Sequence, residues 1–258
     1  MKKELNLPKY GIHTVTFECT DSTNMRAREY AAQKDANIPA LFIADMQTAG
    51  RGRLGRSFYS PDRAGLYMTL LIKAAEHSEL FSRITAIAAV AASDAIFECF
   101  EIKAKIKWVN DLYIGERKVA GILAESFVEN SERFVALGIG INIFSSDFPL
   151  EIADKATALL ADKDCKECKE TRDKLAVCLA KKLLDATKTI DFGEYIEKYR
   201  EYSYVIGKRI RFFREGKEYA ARALDVTDSG ALLVLCENGE KVSLSSGEIS
   251  VFLEREEI

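Results

Sequence analysis

Residues 40 to 46 (ALFIADM) and 65 to 72 (GLYMTLLI) are short apolar runs of strand-forming types, and between them lies a segment that neither helix nor strand can absorb. Over 47 to 58 it reads Gln-Thr-Ala-Gly-Arg-Gly-Arg-Leu-Gly-Arg-Ser-Phe, with Gly50, Gly52 and Gly55 interleaved with Arg51, Arg53 and Arg56, and Pro61 follows. Glycines this dense cost regular structure too much backbone entropy, so the chain must build two strands around an irregular loop. Glycine also lets the backbone approach a ligand, and arginine presents a planar fork of donors matched to carboxylate and phosphate. Set on a rigid strand-loop-strand scaffold, the segment reads as an anion-binding loop, with a solvated turn as the bland alternative.

The spacing separates this loop from better-known phosphate loops. Gly50, Gly52 and Gly55 match G-x-G-x-x-G, but the dinucleotide fingerprint opens a helix, whereas here a proline and a strand follow. No G-x-x-x-x-G-K-[ST] element exists. A protein kinase could be assembled from this loop, Lys73, Thr-Arg-Asp at 171 to 173 and Asp191-Phe192-Gly193. It fails because Cys178 stands where the catalytic-loop asparagine belongs and no A-P-E follows.

Residues 12 to 19 (IHTVTFEC) alternate as a strand, Asp21, Ser22 and Thr23 offer caps, and a helix through about Gln33 follows. The alanine-rich stretch 79 to 100 carries apolar positions at helical spacing and reads as a core helix packed on a sheet. Apolar runs at 104 to 108, 119 to 128 and 133 to 143 continue the sheet, the first two joined by Asn110 to Lys118 with a turn at Gly115. Residues 168 to 204 are helical again, first charged and then rich in tyrosine. From 206 to 253 short strands are punctuated by Gly216, Asp228 to Gly230, Asn238 to Gly239 and Ser245 to Gly247. The expected class is α+β: a mixed, largely antiparallel sheet with packed helices over residues 1 to 204, and a small C-terminal SH3-like β-barrel over 205 to 258.

Lysine plus arginine number 37 against 40 acidic residues, with pI near 5.7, so the chain lacks the basic footprint of a DNA or RNA binder. With no apolar h-region and no span-length run, the expectation is a cytoplasmic protein away from membranes. Six scattered cysteines suggest reduced thiols. The Cys165–Cys168 pair has C-x-x-C spacing but no second pair, and His13 and His77 lack partners, so no protein metal site is expected.

A second constellation runs from Lys107 to Leu123 (KWVNDLYIGERKVAGIL). Asn110 and Asp111 suit either an Asx turn or a ligand contact, Lys118 either a solvated strand start or an active cation, and Trp108 packing.

Together, Ser22-Thr23-Asn24 before a helix, the GRGRLGR loop, KWVNDLYIGERKVAGIL and GIGIN at 138 to 142, in this order, resemble the biotin protein ligase family. The resemblance runs on to Ser-Gly-Glu-Ile-Ser at 246 to 250. It implies a catalytic domain like that of class II aminoacyl-tRNA synthetases. The implied reaction activates biotin with ATP to biotinyl-5'-AMP, releases pyrophosphate, and transfers biotin to a lysine of a biotin carboxyl carrier protein or domain. By the same resemblance Ser22, Thr23, Asn24 and Gln47 lie at the biotin pocket, and Gly50, Arg51, Gly52 and Arg53 lie against the biotin tail and activated carboxyl. Lys118 sits near the α-phosphate, and Arg56, Phe58, Asn110, Asp111 and Asn142 fall on the nucleotide side. Lys118 would be the main electrostatic stabiliser and Arg53 the carboxyl clamp, with Mg²⁺ shielding the phosphates.

Two positions depart from the family pattern. Val109 stands where proline is common, which predicts a looser turn, and Phe58 where tryptophan is common, which predicts a smaller stack on adenine. The first ligase strand starts near residue 12, leaving no room for the amino-terminal winged helix of some members, so no DNA binding is expected. The loop at 50 to 57 is expected to be mobile when empty and to order on ligand. A lipoate-type acyl ligase and a non-catalytic biotin- or carrier-binding module are the alternatives; GRGRLGR speaks against the first, Lys118 and Arg53 against the second. The carrier could dock by strand addition at the sheet edge. Homodimer and monomer both stay open, as does the role of the barrel.

Overall fold

The computed structural model describes residues 12–74, 79–145, 147–161, 168–188, 192–214, 216–245 and 251–253. Cys165, His77, Asp191 and the 246–250 segment lie outside the described residues.

Seven strands form one sheet: β1 (His13–Thr20), β2 (Ala40–Gln47), β3 (Gly65–Lys73), β4 (Lys105–Lys107), β5 (Asp111–Ile114), β6 (Arg117–Glu129) and β7 (Glu132–Asn142). Their order is β1-β2-β3-β7-β6-β5-β4, with β1 and β2 parallel and the remaining pairs antiparallel. The mixed, largely antiparallel sheet is thus as expected.

Strand alternation sorts the side chains into two faces. Leu66, Met68, Leu70 and Ile72 of β3 and Val135, Leu137, Ile139 and Ile141 of β7 join one core cluster. That face is covered by α2 (Glu79–Phe100) and α3 (Cys168–Lys188), with α4 (Phe192–Tyr202) packed against α2. Ala86, Ala88, Ala89, Ala91, Ala92 and Ala95 of α2 are at most 3% exposed, so small side chains bring this helix close to the sheet. The opposite face is different. Phe42, Leu71, Phe134 and Ala136 pack there against Ala27 and Ala31 of α1 (Thr23–Ala31) in a smaller cluster, which leaves Tyr67, Thr69, Gly138 and Gly140 to line the rest.

The terminal unit is an antiparallel five-stranded sheet in the order β11-β10-β9-β8-β12, built from β8 (Arg209–Arg214), β9 (Lys217–Val226), β10 (Leu232–Cys236), β11 (Lys241–Leu244) and β12 (Val251–Leu253). Gly216, Gly230 and Gly239 take positive φ at its turns, as their sequence positions predict. It is tied to the larger unit by polar contacts to backbone: Trp108 Nε1, just after β4, donates to Gly230 O at 3.0 Å and Arg200 Nε of α4 to Val226 O at 2.7 Å. Trp108 therefore packs, at 5% exposure, and also anchors.

Three sequence expectations are corrected. α1 ends at Ala31 rather than Gln33, because Gln33 N already bonds Tyr30 O in a turn within a polar stretch that leads to Pro39. The segment after Asn110 is not simply a turn: Asp111–Ile114 is strand β5, which pairs with both β4 and β6. Four residues headed by Asn and Asp are too short to signal a strand by periodicity. The helical stretch after 168 forms two helices, ending at Tyr202. No described helix is long and apolar enough to cross a membrane. Cys19, Cys99, Cys178 and Cys236 are free thiols.

One buried charge holds the strand that launches the arginine loop. Arg172 of α3 is 8% exposed and pairs with Asp45 of β2, two residues before Gln47, and with Asp173 at 3.4 Å. Removing one member of such a pair leaves the other dehydrated and unanswered. Arg172→Met should lower stability by about 1–3 kcal/mol in urea unfolding. An unchanged midpoint would show the pair to be dispensable.

Candidate active site

The register sets the floor of a cleft. Asp111 pairs with Gly121, Gly121 with Gly140, and Gly140 with Tyr67, giving one row across β5, β6, β7 and β3. Two residues along, Leu123, Gly138 and Thr69 form a second row on the same face. Strand centres normally carry side chains, so glycines here open space over the sheet. Phe58, from the end of the arginine loop, fills that space. A Cβ on Gly140 would lie 2.5 Å from Phe58 Cε1, and one on Gly121 would lie 3.4 Å from Cε2. The ring also meets Tyr67 edge-on, with centroids 6.5 Å apart.

The loop itself is a compact hairpin. Phe58 N bonds Gly50 O at 2.9 Å, Gly52 N bonds Arg56 O at 2.7 Å, and Arg53–Gly55 make a 3-10 turn. Leu54 and Gly55 take positive φ, the former without glycine's tolerance, and Leu54 is 55% exposed at the tip. Gly50 is required by close approach, since a Cβ there would collide with Phe58 O and crowd Ser60 Oγ.

At one end of the floor lies a hydrogen-bonding cluster that is neutral on balance, the charges of Glu125 and Arg51 answering each other. Thr23 N and Oγ1 lie 2.8 and 3.1 Å from Gln47 Oε1, and Gln47 Nε2 donates to Ser60 Oγ at 3.0 Å. Asn24 Nδ2 donates to Glu125 Oε2 at 2.8 Å, while Arg51 Nη2 reaches Glu125 Oε1 at 3.1 Å. Ser22 occupies the N-cap position of α1 at 3% exposure without capping through its side chain.

At the other end cations gather around one carboxylate. Lys118 Nζ lies 2.7 Å from Asp111 Oδ1 and 5.9 Å from the centre of the Phe58 ring. Arg53 Nη1 donates to Asn110 Oδ1 at 3.1 Å, and Asn110 Nδ2 to Ile122 O at 2.9 Å, so Asn110 clips the loop to β6. Burial holds the Arg53 guanidinium below its usual range, Asp111 pulling it back up and Arg56 pushing it further down. Arginine stays charged throughout, so the site keeps a partly dehydrated cation whose field is weakly screened. Lys107 is displaced the same way, mainly by burial, with Asp111 raising it and Lys118 and Arg56 lowering it. Its amine lies 3.3 Å from Tyr113 Oη, whose own titration is pushed up to about 12 by burial, Asp111 and Tyr204.

The site residues named from sequence therefore converge. Ser22, Thr23, Asn24 and Gln47 sit at the neutral end, Phe58 on the floor, and Arg53, Asn110, Asp111 and Lys118 at the charged end. Gly52 and Arg56 close the loop between them. Asn142, two residues beyond Gly140 on the same face of β7, is 8% exposed and donates to Thr157 O at 3.0 Å, bracing the 155–157 segment that pairs with the Lys118 backbone. The turn at Val109 is firmly held, since Tyr199 Oη donates to Val109 O at 3.1 Å and Ile122 N bonds Asn110 O at 2.9 Å. Buried Tyr199 thereby supplies a restraint that the local sequence does not reveal. Sequence reasoning also passed over Lys107, Thr69 and Glu125. Thr69 left a signal, as the only aliphatic hydroxyl in the run GLYMTLLI.

Comparison with known proteins agrees with this geometry. The Biotin/lipoate A/B protein ligase family matches residues 16–142, and the Biotin protein ligase C terminal domain matches residues 205–251. The bifunctional ligase/repressor BirA of Bacillus spizizenii is 32% identical over 235 residues, covering 90% of this chain and 72% of that protein. The biotin–[acetyl-CoA-carboxylase] ligase of Mycobacterium tuberculosis is 29% identical over 239 residues, covering 89% and 85%. Among solved structures, the biotin protein ligase from Aquifex aeolicus in complex with biotin and ATP superposes with a TM-score of 0.75 at 29% identity, covering 94% of this chain and 99% of that one. The chain belongs to the biotin/lipoate A/B protein ligase family, in its biotin protein ligase branch.

Proposed function

We propose that this chain is an ATP-dependent biotin–[acetyl-CoA-carboxylase] ligase. The observation that carries the proposal is the division of one cleft into a neutral hydrogen-bonding end and a cationic end, joined across glycines beneath Phe58. Biotin has the matching build: a ureido head that needs neutral partners, an apolar tail, and a carboxylate. Ser22, Thr23, Asn24 and Gln47 take the head. The glycine floor takes the tail, and Phe58, which lies on it beneath Lys118, is assigned to the nucleotide side as the family resemblance implies. Gly50, Arg51, Gly52 and Arg53 take the carboxyl, with Arg56, Asn110, Asp111 and Asn142 toward the nucleotide.

In the first step a biotin carboxylate oxygen bonds to the α-phosphorus of ATP while the bond to pyrophosphate breaks. Two anions must meet, so the barrier falls where cations are already dehydrated and fixed. Arg53 holds the attacking carboxylate and Lys118 exchanges Asp111 for the α-phosphate oxygens as negative charge builds there. In the second step a carrier lysine amine bonds to the acyl carbon, loses its proton, and AMP leaves. Mg²⁺ needs only one or two carboxylates beside substrate phosphates, and Asp111 faces the cations where such phosphates would lie, so it would hold the ion, which supplies charge shielding.

The partner is a biotin carboxyl carrier domain, which could add to the edge strand β1. We infer action in the cytoplasm, in keeping with the four free thiols. The chain divides functionally into a catalytic unit, 1 to 204, and a terminal unit, 205 to 258.

Incubation with a carrier domain, biotin and Mg-ATP should add one biotin to the carrier by mass spectrometry. Lys118→Ala should slow biotin-dependent ATP–pyrophosphate exchange by roughly 10²–10³; an undiminished rate removes Lys118 from its role. Gly140→Val should expel Phe58 from the floor and weaken biotin binding by about tenfold or more in calorimetry, at the cost of an overpacked site. Retained affinity would mean that the floor is not the tail site. Amide exchange over 50 to 57 should slow when biotin and ATP are both present, and equal rates with and without them would deny the loop a closing role.

A further inference from the structure

Thr69 is an anomaly of the central sheet. It is fully buried between Met68 and Leu70, in a strand whose other polar side chains are the Tyr67 phenol and the exposed terminal Lys73, and a valine would fit the same volume. Its hydroxyl lies 2.6 Å from Asn24 Oδ1 and 2.8 Å from Thr23 Oγ1, joining the first two residues of α1 beneath the cleft.

The directions of these hydrogen bonds follow from one end. A carboxylate can only accept, so Glu125 fixes Asn24 Nδ2 as the donor facing it, at 2.8 Å, and Leu123 O at 3.4 Å lies on the same side of the amide. Asn24 Oδ1 must then face Thr69 and accept. Thr69 has one proton, and it goes to Asn24, so in the contact between the two threonines Thr69 is the acceptor. Thr23 likewise has one hydroxyl proton, and both acceptors within reach, Thr69 Oγ1 at 2.8 Å and Gln47 Oε1 at 3.1 Å, belong to the protein. Gln47 cannot reverse the order, because its Oε1 is fixed by the Thr23 backbone N–H at 2.8 Å. The Thr23 oxygen thus has only lone pairs left to offer a further partner.

We propose that Glu125, Asn24 and Thr69 form a one-way hydrogen-bond relay that holds Thr23 as a pure acceptor and so selects ligands presenting an N–H donor. The inference rests on the assignment of this cleft to biotin, whose ureido ring carries two such donors. Thr69 and Glu125 are positioning residues: they act through Thr23 and set what the head pocket recognises. A dithiolane head, which has no N–H, gains nothing from a pocket prepared this way. The relay also ends on Arg51, through Glu125 Oε1 at 3.1 Å, which ties head recognition to the arginine loop.

The test is calorimetric binding of biotin and of its carbocyclic analogue, in which both ureido N–H groups are replaced by CH₂, to the full chain. Thr69→Val leaves Gln47 Oε1, at 3.1 Å and already taken by the Thr23 N–H, as the remaining acceptor for the Thr23 proton; it should weaken biotin by about tenfold, the worth of one lost hydrogen bond, and leave the analogue within about twofold, so that the preference between them shrinks. Thr69→Ser should restore it. Glu125→Gln, which releases the Asn24 amide to face either way, should shrink the preference from the other end of the relay and serves if Thr69→Val does not fold. Equal weakening of both ligands, or unchanged affinity for both, would overturn the relay and leave Thr69 a packing residue. Failure of the wild-type chain to bind biotin would instead overturn the functional assignment.

Discussion

Everything at this site depends on a stretch of sheet that carries no side chains. Gly121 and Gly140 are paired across β6 and β7, and Gly138 lies two residues along the same face. Because side chains alternate, the residues between them, Ile122, Ile139 and Ile141, point the other way into the main core, each at most 2% exposed. One pair of strands thereby does two jobs: its isoleucines hold α2 and α3 on one side, and its glycines leave a groove on the other. A shift of register by one residue would bury the glycines against the helices and expose the isoleucines to water, so the core's hydrophobic pattern pins the cleft in place.

The groove gives a meeting point to charges that the chain would otherwise scatter. Arg53 comes from the loop after β2, Asp111 and Asn110 from the start of β5, and Lys118 from β6. Their proximity costs hydration, seen in the depressed titration of Arg53 and Lys107, both driven chiefly by burial. Such a cluster is poorly designed for stability and well suited to anions, whose arrival relieves the repulsion among the cations. Asp111 serves as the counter-charge in the meantime. The neutral end follows an opposite rule: donors and acceptors there are matched into chains, and the ordering starts from the single carboxylate of Glu125.

The terminal unit bears on the same geometry from a distance. Trp108 reaches Gly230 of that unit and Tyr199 of α4 reaches Val109, so the two residues before Asn110 are held from outside the local hairpin. The Arg172–Asp45 pair does the same for the strand entering the arginine loop. Flexible glycine-rich segments are thus suspended from fixed points, a way to keep a loop adaptable while its ends stay in register.

How much of this was legible in the sequence can be judged residue by residue. The chain itself determined the strand–loop–strand around Arg51, Arg53 and Arg56, the core helix at 79 to 100, the glycine turns of the terminal sheet, and the family, because periodicity, turn chemistry and motif order are local properties. It also named Thr23, Gln47, Lys118 and Asp111. Only the tertiary structure decided that Phe58 lies on the glycines, that Asn110 serves as a clip, that Asn142 braces a neighbouring segment, and that β5 is a strand. Each of these depends on a partner far away in the chain: 82 positions from Phe58 to Gly140, 57 from Arg53 to Asn110, 101 from Asn24 to Glu125. Thr69 shows the boundary between the two. The sequence marks it as a hydroxyl among apolar residues, but its meaning comes from the proton count of its neighbours, and those become neighbours only when β3 and α1 are packed face to face.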